Sequence, residues 1–159
     1  MITVRAANRE DVVVLYQMLR QSAIDQDGEA FLCVDPENLL HDGFVRDPPR
    51  FRCLIAECEG EAAGLALFFA VYSTWISRSP ICLEDLYVAP QFRRRGIAKI
   101  LMRELARIAL AQEAGQVKWL VLNHNRRAMR FYEKLGASGG AGSMQLGAEE
   151  LARLANATP

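Results

Sequence analysis

The sequence predicts a mixed α/β domain, and three observations carry that prediction. Strand-like runs alternate along the chain with runs whose apolar residues recur at helical spacing. The central runs "FRCLIAEC", "AAGLALFFAVY" and "PICLEDLYV" are apolar nearly throughout, as strands covered on both faces are. The length of 159 residues suits one domain, read here as residues 1–159, and 51% hydrophobic residues supply a core.

The elements follow in order. "MITVRAA" reads as a first strand. Asn8 is a helix cap with Glu10 and Asp11 in the first turn, and Val12, Leu15, Leu19 and Ala23 then mark a helix. A polar, acidic connection leads to a short helix at "PENLLHDGF", stopped by Pro48 and Pro49. "FRCLIAEC" and "AAGLALFFAVY" are strands joined by the turn "EGEA", and "PICLEDLYV" is another. From Gly96, residues Ile97, Ile100, Leu101, Leu105 and Ile108 define an amphipathic helix ending near Gly115. "VKWLVL" reads as a buried strand, and "NRRAMRFYEKLG" as a short helix stopped by Gly136. The Gly-rich "GASGGAGS" reads as a loop, followed by a brief strand at "MQL" and a last helix, "AEELARLA". The expected fold is a central twisted mixed sheet of about six to seven strands flanked by about four helices.

The formal net charge is zero, so no global field points to nucleic acid or an anionic membrane. The charges are nonetheless partitioned. Between Ser22 and Asp47 the acids Asp25, Asp27, Glu29, Asp35, Glu37, Asp42 and Asp47 face only Arg46 and His41, whereas Arg93, Arg94, Arg95, Lys99, Arg103 and Arg107 cluster around a lone Glu104. These are either solvated faces or sites for a cation and an anion. Cys33, Cys53, Cys58 and Cys82 show no metal spacing, no metal site is expected, and reduced thiols suit a cytoplasmic protein. The N-terminus has no apolar signal core, and "GLALFFAVY" is too short to span a bilayer.

"QFRRRGIAK" poses the sharpest question, because three arginines crowd a helix N-terminus that prefers acids. A strand, a turn and a helix with glycine at its mouth form an anion cradle. Gly96 allows close approach to the backbone. A pyrophosphate would neutralise both the arginines and the dipole through bidentate hydrogen bonds. The turn is not a Walker loop, since no Gly-Lys-Ser/Thr follows, and GxGxxG is absent. An exposed basic turn or a nucleic-acid patch is the alternative.

Arg93-x-x-Gly96-x-Ala98 fits the Arg/Gln-x-x-Gly-x-Gly/Ala pattern of the GNAT acetyltransferases, and "NHNRRAMRFYEKLGA" resembles their second signature. "LLHDGF", "YSTW", "CLEDLYV" and "FYEKLGA" are similar, in the same order, to segments of the diamine (spermidine/spermine) branch. The resemblance covers nearly the whole chain. It implies the GNAT fold, acetyl-CoA as co-substrate, a homodimer, and direct transfer to an amine in a ternary complex. Arg93, Arg94, Arg95, Gly96, Ile97, Ala98 and Lys99 should then surround the pyrophosphate, with Ala98 replacing the commoner glycine. Leu86, Tyr87 and Val88 should offer backbone groups to the pantetheine arm, and Tyr87's ring should pack. Asn125, Arg127 and Ala128 open the second signature at the cofactor, and Asn125 also suits an N-cap.

Glu84 and Asp85 interrupt an apolar strand on opposite faces. Asp85 reads as a salt-bridge or turn residue. An alkyl amine has a pKa of about 10.4 and must lose a proton before it attacks a thioester. A glutamate in a cleft with a raised pKa suits that task, directly or through water, and the resemblance assigns it to Glu84. It also makes Tyr132 the general acid for the departing thiolate; alone, Tyr132 would read as a core aromatic. Cys82, on the face of Glu84, offers a less favoured covalent route.

Asp25 and Gln26 stand where the polyamine enzymes carry a tyrosine and a glutamate at the amine, and Ser73 replaces an acid two residues before Trp75. Trp75 either lines the amine channel or packs in the core. With two carboxylates missing, Asp25 and Glu29 are left to compensate. A shorter diamine or a lysine-like amino acid becomes as plausible as spermidine. A non-catalytic acyl-CoA sensor, or an acetyltransferase acting on a protein amine, is the alternative.

Overall fold

The computed structural model describes residues 1–75, 78–122, 124–140 and 142–157. Seven strands, β1 (Ile2–Ala6), β2 (Arg52–Cys58), β3 (Glu61–Ala70), β4 (Ile81–Val88), β5 (Gln116–Trp119), β6 (Ser138–Gly140) and β7 (Ser143–Gly147), form a sheet in the order β1-β2-β3-β4-β5-β7-β6. The α-helices among the described residues are α1 (Val12–Asp25), α2 (Pro36–Leu40), α3 (Ile97–Ala111), α4 (Arg126–Lys134) and α5 (Ala148–Ala155). The sheet is mixed: β1–β2, β5–β7 and β6–β7 pair antiparallel, and β4–β5 pair in parallel. The chain divides into two compact units, Met1–Leu67 with Asp85–Leu101, and Phe68–Glu84 with Met102–Pro159. Among the described residues no helix is long and apolar enough to cross a membrane.

In the first unit, β1 and β2 are held in register from Ile2↔Cys58 to Ala6↔Leu54. Arg5 secures this corner. It forks onto both carboxylate oxygens of the buried Asp11 at 2.8 Å and donates Nε to Glu57 at 2.7 Å. Asn8 Oδ1 accepts from the Glu10 N–H, and Asp11 Oδ2 accepts from the Asn8 N–H, a reciprocal cap that starts the helical segment. Val12, Leu15, Met18 and Leu19 of α1 then pack with Ile55, Leu65, Leu67 and the ring of Tyr87. α2 runs on into a π-helical turn, His41–Val45, which ends before Pro48.

Gly64 carries a close approach between strands. A Cβ at this position would lie 2.5 Å from the Tyr87 carbonyl oxygen and 3.3 Å from the Val88 Cα. The contact is with backbone, so it cannot relax by a rotamer change. Gly64→Ala is therefore expected to cost about 1–3 kcal/mol, the usual penalty of overpacking. Thermal unfolding should show a melting temperature lower by several degrees; an unchanged value would mean that the strands adjust without strain.

In the second unit, the parallel ladder places Ile81 opposite Val117 and Cys82 opposite Lys118, only the first two of the eight residues of β4. β5 continues antiparallel onto β7 from Gln116↔Gly147 to Trp119↔Met144. α4 closes with the Gly136 N–H on the Glu133 carbonyl and the Ala137 N–H on the Tyr132 carbonyl, the Schellman arrangement.

Three details differ from the sequence reading. "VKWLVL" is a strand only as far as Trp119, and beyond it Leu120 is 83% exposed. An apolar run does not report where a strand leaves its ladder. Helix α3 ends at Ala111, before the two left-handed residues Glu113 (φ 52) and Gly115 (φ 76) that turn the chain. The glycine-rich segment read as a loop contains β6, because β7 provides a ladder through Ser138↔Gln145 and Gly139↔Met144. Pairing, not propensity, makes that strand.

Candidate active site

The first unit carries the arginine turn. Its side chains are not equivalent. Arg93 is half-buried and directed inward: Nε donates to the Val88 carbonyl at 2.9 Å, and Nη2 donates to Asp25 Oδ2. Its guanidinium lies 5.9 Å from the centroid of the buried Tyr87 ring. The expectation that all three arginines face an anion thus fails for Arg93, whose side chain is committed to protein groups. Arg95 is exposed, yet it reaches Cys58 Sγ at 3.7 Å and lies 5.7 Å from the Phe92 centroid. Arg94 is exposed and takes a left-handed backbone, φ 65. Such a conformation is costly for a residue with a Cβ and concentrates at functional turns.

Gly96 is also left-handed, φ 82, and a Cβ there would meet nothing within 4 Å. Glycine is required for conformation, and the space above it is open. The first N–H groups of α3 have no acceptor within the helix. Of the residues that follow, Ile97 is buried in the core and can offer only its N–H, Ala98 is half-buried and Lys99 is exposed. Leu86 and Val88 are half-buried on β4, and Tyr87 packs as expected.

The two residues expected at the amine, Asp25 at the end of α1 and Gln26 just after it, are both engaged. Asp25 Oδ1 accepts from Gln21 Nε2 at 2.9 Å while Oδ2 holds Arg93. The Gln21 hydrogen bond, and then Arg93, hold the Asp25 carboxyl below its ordinary range. Gln26 Nε2 folds back onto Ser22, at 3.1 Å from its carbonyl and 3.2 Å from Oγ. Glu29, the other acid offered to a cation, pairs with Arg20 at 2.7 Å.

The second unit carries the residues expected to move protons. Tyr132 on α4 is buried, its ring centroid 4.5 Å from that of Trp119 and 5.2 Å from that of Phe131. Asn125 is the α4 cap, its Oδ1 accepting from the Ala128 N–H at 3.1 Å, and Arg127 is exposed. Glu84 is exposed on β4, not the desolvated carboxylate the sequence suggested. A strand interrupted by adjacent acids does not reveal which face stays covered. Burial, and then the Glu84 charge, raise the Cys82 thiol, with Lys118 opposing. That keeps Cys82 protonated and disfavours a covalent cysteine route. Cys53 is likewise an inert core thiol, pushed up to about 12 by burial.

Ser73 bridges to Arg78 in the connection from β3 to β4, and Trp75 is 95% exposed, so it is not core. Trp119 was missed by the sequence reading. It lies at the end of β5, buried against Tyr132, and its indole Nε1 has no hydrogen-bond partner among the described residues. A tryptophan in a short apolar strand carries no signal of which aromatic ring it packs against. Among the described residues no group of three or more His, Cys, Asp or Glu could hold a metal ion.

The chain runs from β4 through a left-handed arginine–glycine turn into α3, with the tyrosine-bearing α4 downstream, the arrangement that the resemblance to the GNAT acyl-group transferases implies. The family model for the Acetyltransferase (GNAT) family matches residues 15–137, and the chain belongs to that family of acetyltransferases. The thialysine N-epsilon-acetyltransferase of Mus musculus is 34% identical over 142 residues, covering 84% of this chain and 82% of that one. The spermidine/spermine N(1)-acetyltransferase-like protein 1 of Homo sapiens is 26% identical over 141 residues, 84% of this chain and 20% of that one. Both relatives are acetyltransferases, in agreement with the family model. Among solved structures, yncA of Salmonella typhimurium with acetyl-CoA superposes with a TM-score of 0.74 at 19% identity, over 92% of this chain and 94% of that one.

Proposed function

We propose that residues 1–159 act as one catalytic domain, an acetyl-CoA-dependent N-acetyltransferase. Its acceptor is a terminal primary amine of a thialysine- or lysine-like amino acid, or of a short diamine, in preference to spermidine. The observation that carries the preference is the pairing of Asp25 with Arg93 and of Glu29 with Arg20. The acids that would hold a polycation already have cationic partners, so a second positive charge on the substrate has less to recognise it. The extensive similarity to an enzyme named for thialysine agrees.

The donor set suits a CoA pyrophosphate. Exposed Arg94, Arg95 and Lys99 supply charge, the opening of α3 supplies N–H groups, and Gly96 leaves space above the backbone. A bound acetyl-CoA would supply the activated acetyl thioester. Glu84 takes the ammonium proton, through a water where its exposure admits one. Tyr132 holds its hydroxyl proton for the leaving sulfur, its ring fixed by Trp119. Asn125 and Ala128 keep α4 capped beneath that ring. We further read the protein as cytoplasmic, and as a homodimer, an oligomeric state that mass in solution tests.

The first test is CoA-thiol release from acetyl-CoA with thialysine, lysine, putrescine, spermidine and spermine. Thialysine or lysine should give the highest kcat/KM; a preference for spermine would overturn the acceptor class, and silence with CoA still binding would favour an acyl-CoA sensor. In Glu84→Gln the rise of rate with pH should flatten. An unaltered pH–rate profile would remove Glu84 as the base.

A further inference from the structure

We infer that Asp25 is a positioning residue for the arginine turn, acting through Arg93, and is not a ligand of the amine. This rests on the proposed reading of residues 93–99 as the pyrophosphate turn. Asp25 is the last residue of α1, where the helix dipole disfavours a carboxylate. Its place there is explained by what it touches. One oxygen is held by Gln21 at 2.9 Å, and the other receives the Arg93 guanidinium from 68 residues away in the chain. Asp25 lies at the surface, and with the two side chains 28% and 31% exposed the pair is only partly screened by solvent.

Arg93 is fixed at three points: the Asp25 carboxylate, the Val88 carbonyl and the face of Tyr87. It immediately precedes Arg94, whose left-handed backbone must be held by its surroundings. The clamp therefore joins the end of α1, the end of β4 and the entrance to the turn that presents Arg94, Arg95 and Gly96. It also neutralises one of three adjacent cations. Without Asp25, Arg93 loses its counter-charge and the turn loses its tie to α1. The preorganised donors then become a mobile set, and ligand binding must order them.

The test compares CoA affinity by calorimetry with amine KM by steady-state kinetics. Asp25→Asn should weaken CoA binding about tenfold, raise the acetyl-CoA KM in parallel, and leave the amine KM and saturated kcat within about twofold. Arg93→Gln should give a similar loss, and the double variant should lose little more than either single one, since the two act as a unit. A raised amine KM with unchanged CoA affinity would overturn the proposal, as would additive effects. Should Asp25→Asn fail to fold, Asp25→Glu, which displaces the charge by one methylene, is read in the same way with a loss of about threefold. Failure of the underlying reading looks different: Arg94→Ala would then leave CoA affinity untouched, or the unmodified protein would not bind CoA.

Discussion

Tyr132→Phe should lower kcat about a hundredfold while leaving acetyl-CoA affinity nearly unchanged. General acid catalysis contributes about 10²–10⁴-fold. The low end applies here because a thiol has a pKa of about 8.5, so a departing thiolate needs its proton less than an alkoxide would. The substitution removes one hydroxyl and keeps the ring packed between Trp119 and Phe131. A loss of turnover with an unchanged melting temperature therefore reports chemistry and not packing. Unchanged turnover would remove Tyr132 from the mechanism and leave it a core aromatic.

Joint replacement of Arg94 and Arg95 by alanine should raise the acetyl-CoA Kd about a thousandfold. A hydrogen bond to a charged group contributes about 1.5–3 kcal/mol, and two of them are lost. The dependence of affinity on salt should shrink as well. Arg95 also touches Cys58 and Phe92, so part of its loss is local packing, which thermal unfolding will measure. Arg94 gives the sharper variant. Its left-handed backbone costs about 1–3 kcal/mol that glycine would not pay. Arg94→Gly is thus expected to raise the melting temperature while weakening CoA binding. Arg94 has no ion pair among the described residues to offset that strain, which supports the proposed ligand contact; if Arg94→Gly binds CoA as well as the parent does, that reading fails.

Much of this molecule is legible in its sequence because the signals are local. Helical spacing along Ile97, Leu101 and Leu105 specifies α3, and all three are buried. The Asn8 cap, the "EG" turn with Glu59 and Gly60 both left-handed, and the stop at Gly136 are short-range backbone chemistry. The two GNAT signatures are contiguous strings, so the family was readable before any strand was paired. The strand formed by Ser138–Gly140 was not, since glycine-rich segments pair only when a partner edge is presented.

The arginine turn marks the boundary most clearly. Three adjacent cations at a helix N-terminus offer either an anion site or an exposed basic turn, and the sequence alone carries that much. It could not tell which guanidiniums await a ligand, because the partner of Arg93 is 68 residues away and charge–charge contact depends on distance in space. Only the tertiary structure brings Asp25 to Arg93, turns one arginine inward, and gives an acid the sequence had offered to the amine a cationic partner within the chain. The same holds for Glu84 and Trp75: packing leaves exposed a carboxylate that residue type suggested was covered, and removes the core reading of the tryptophan.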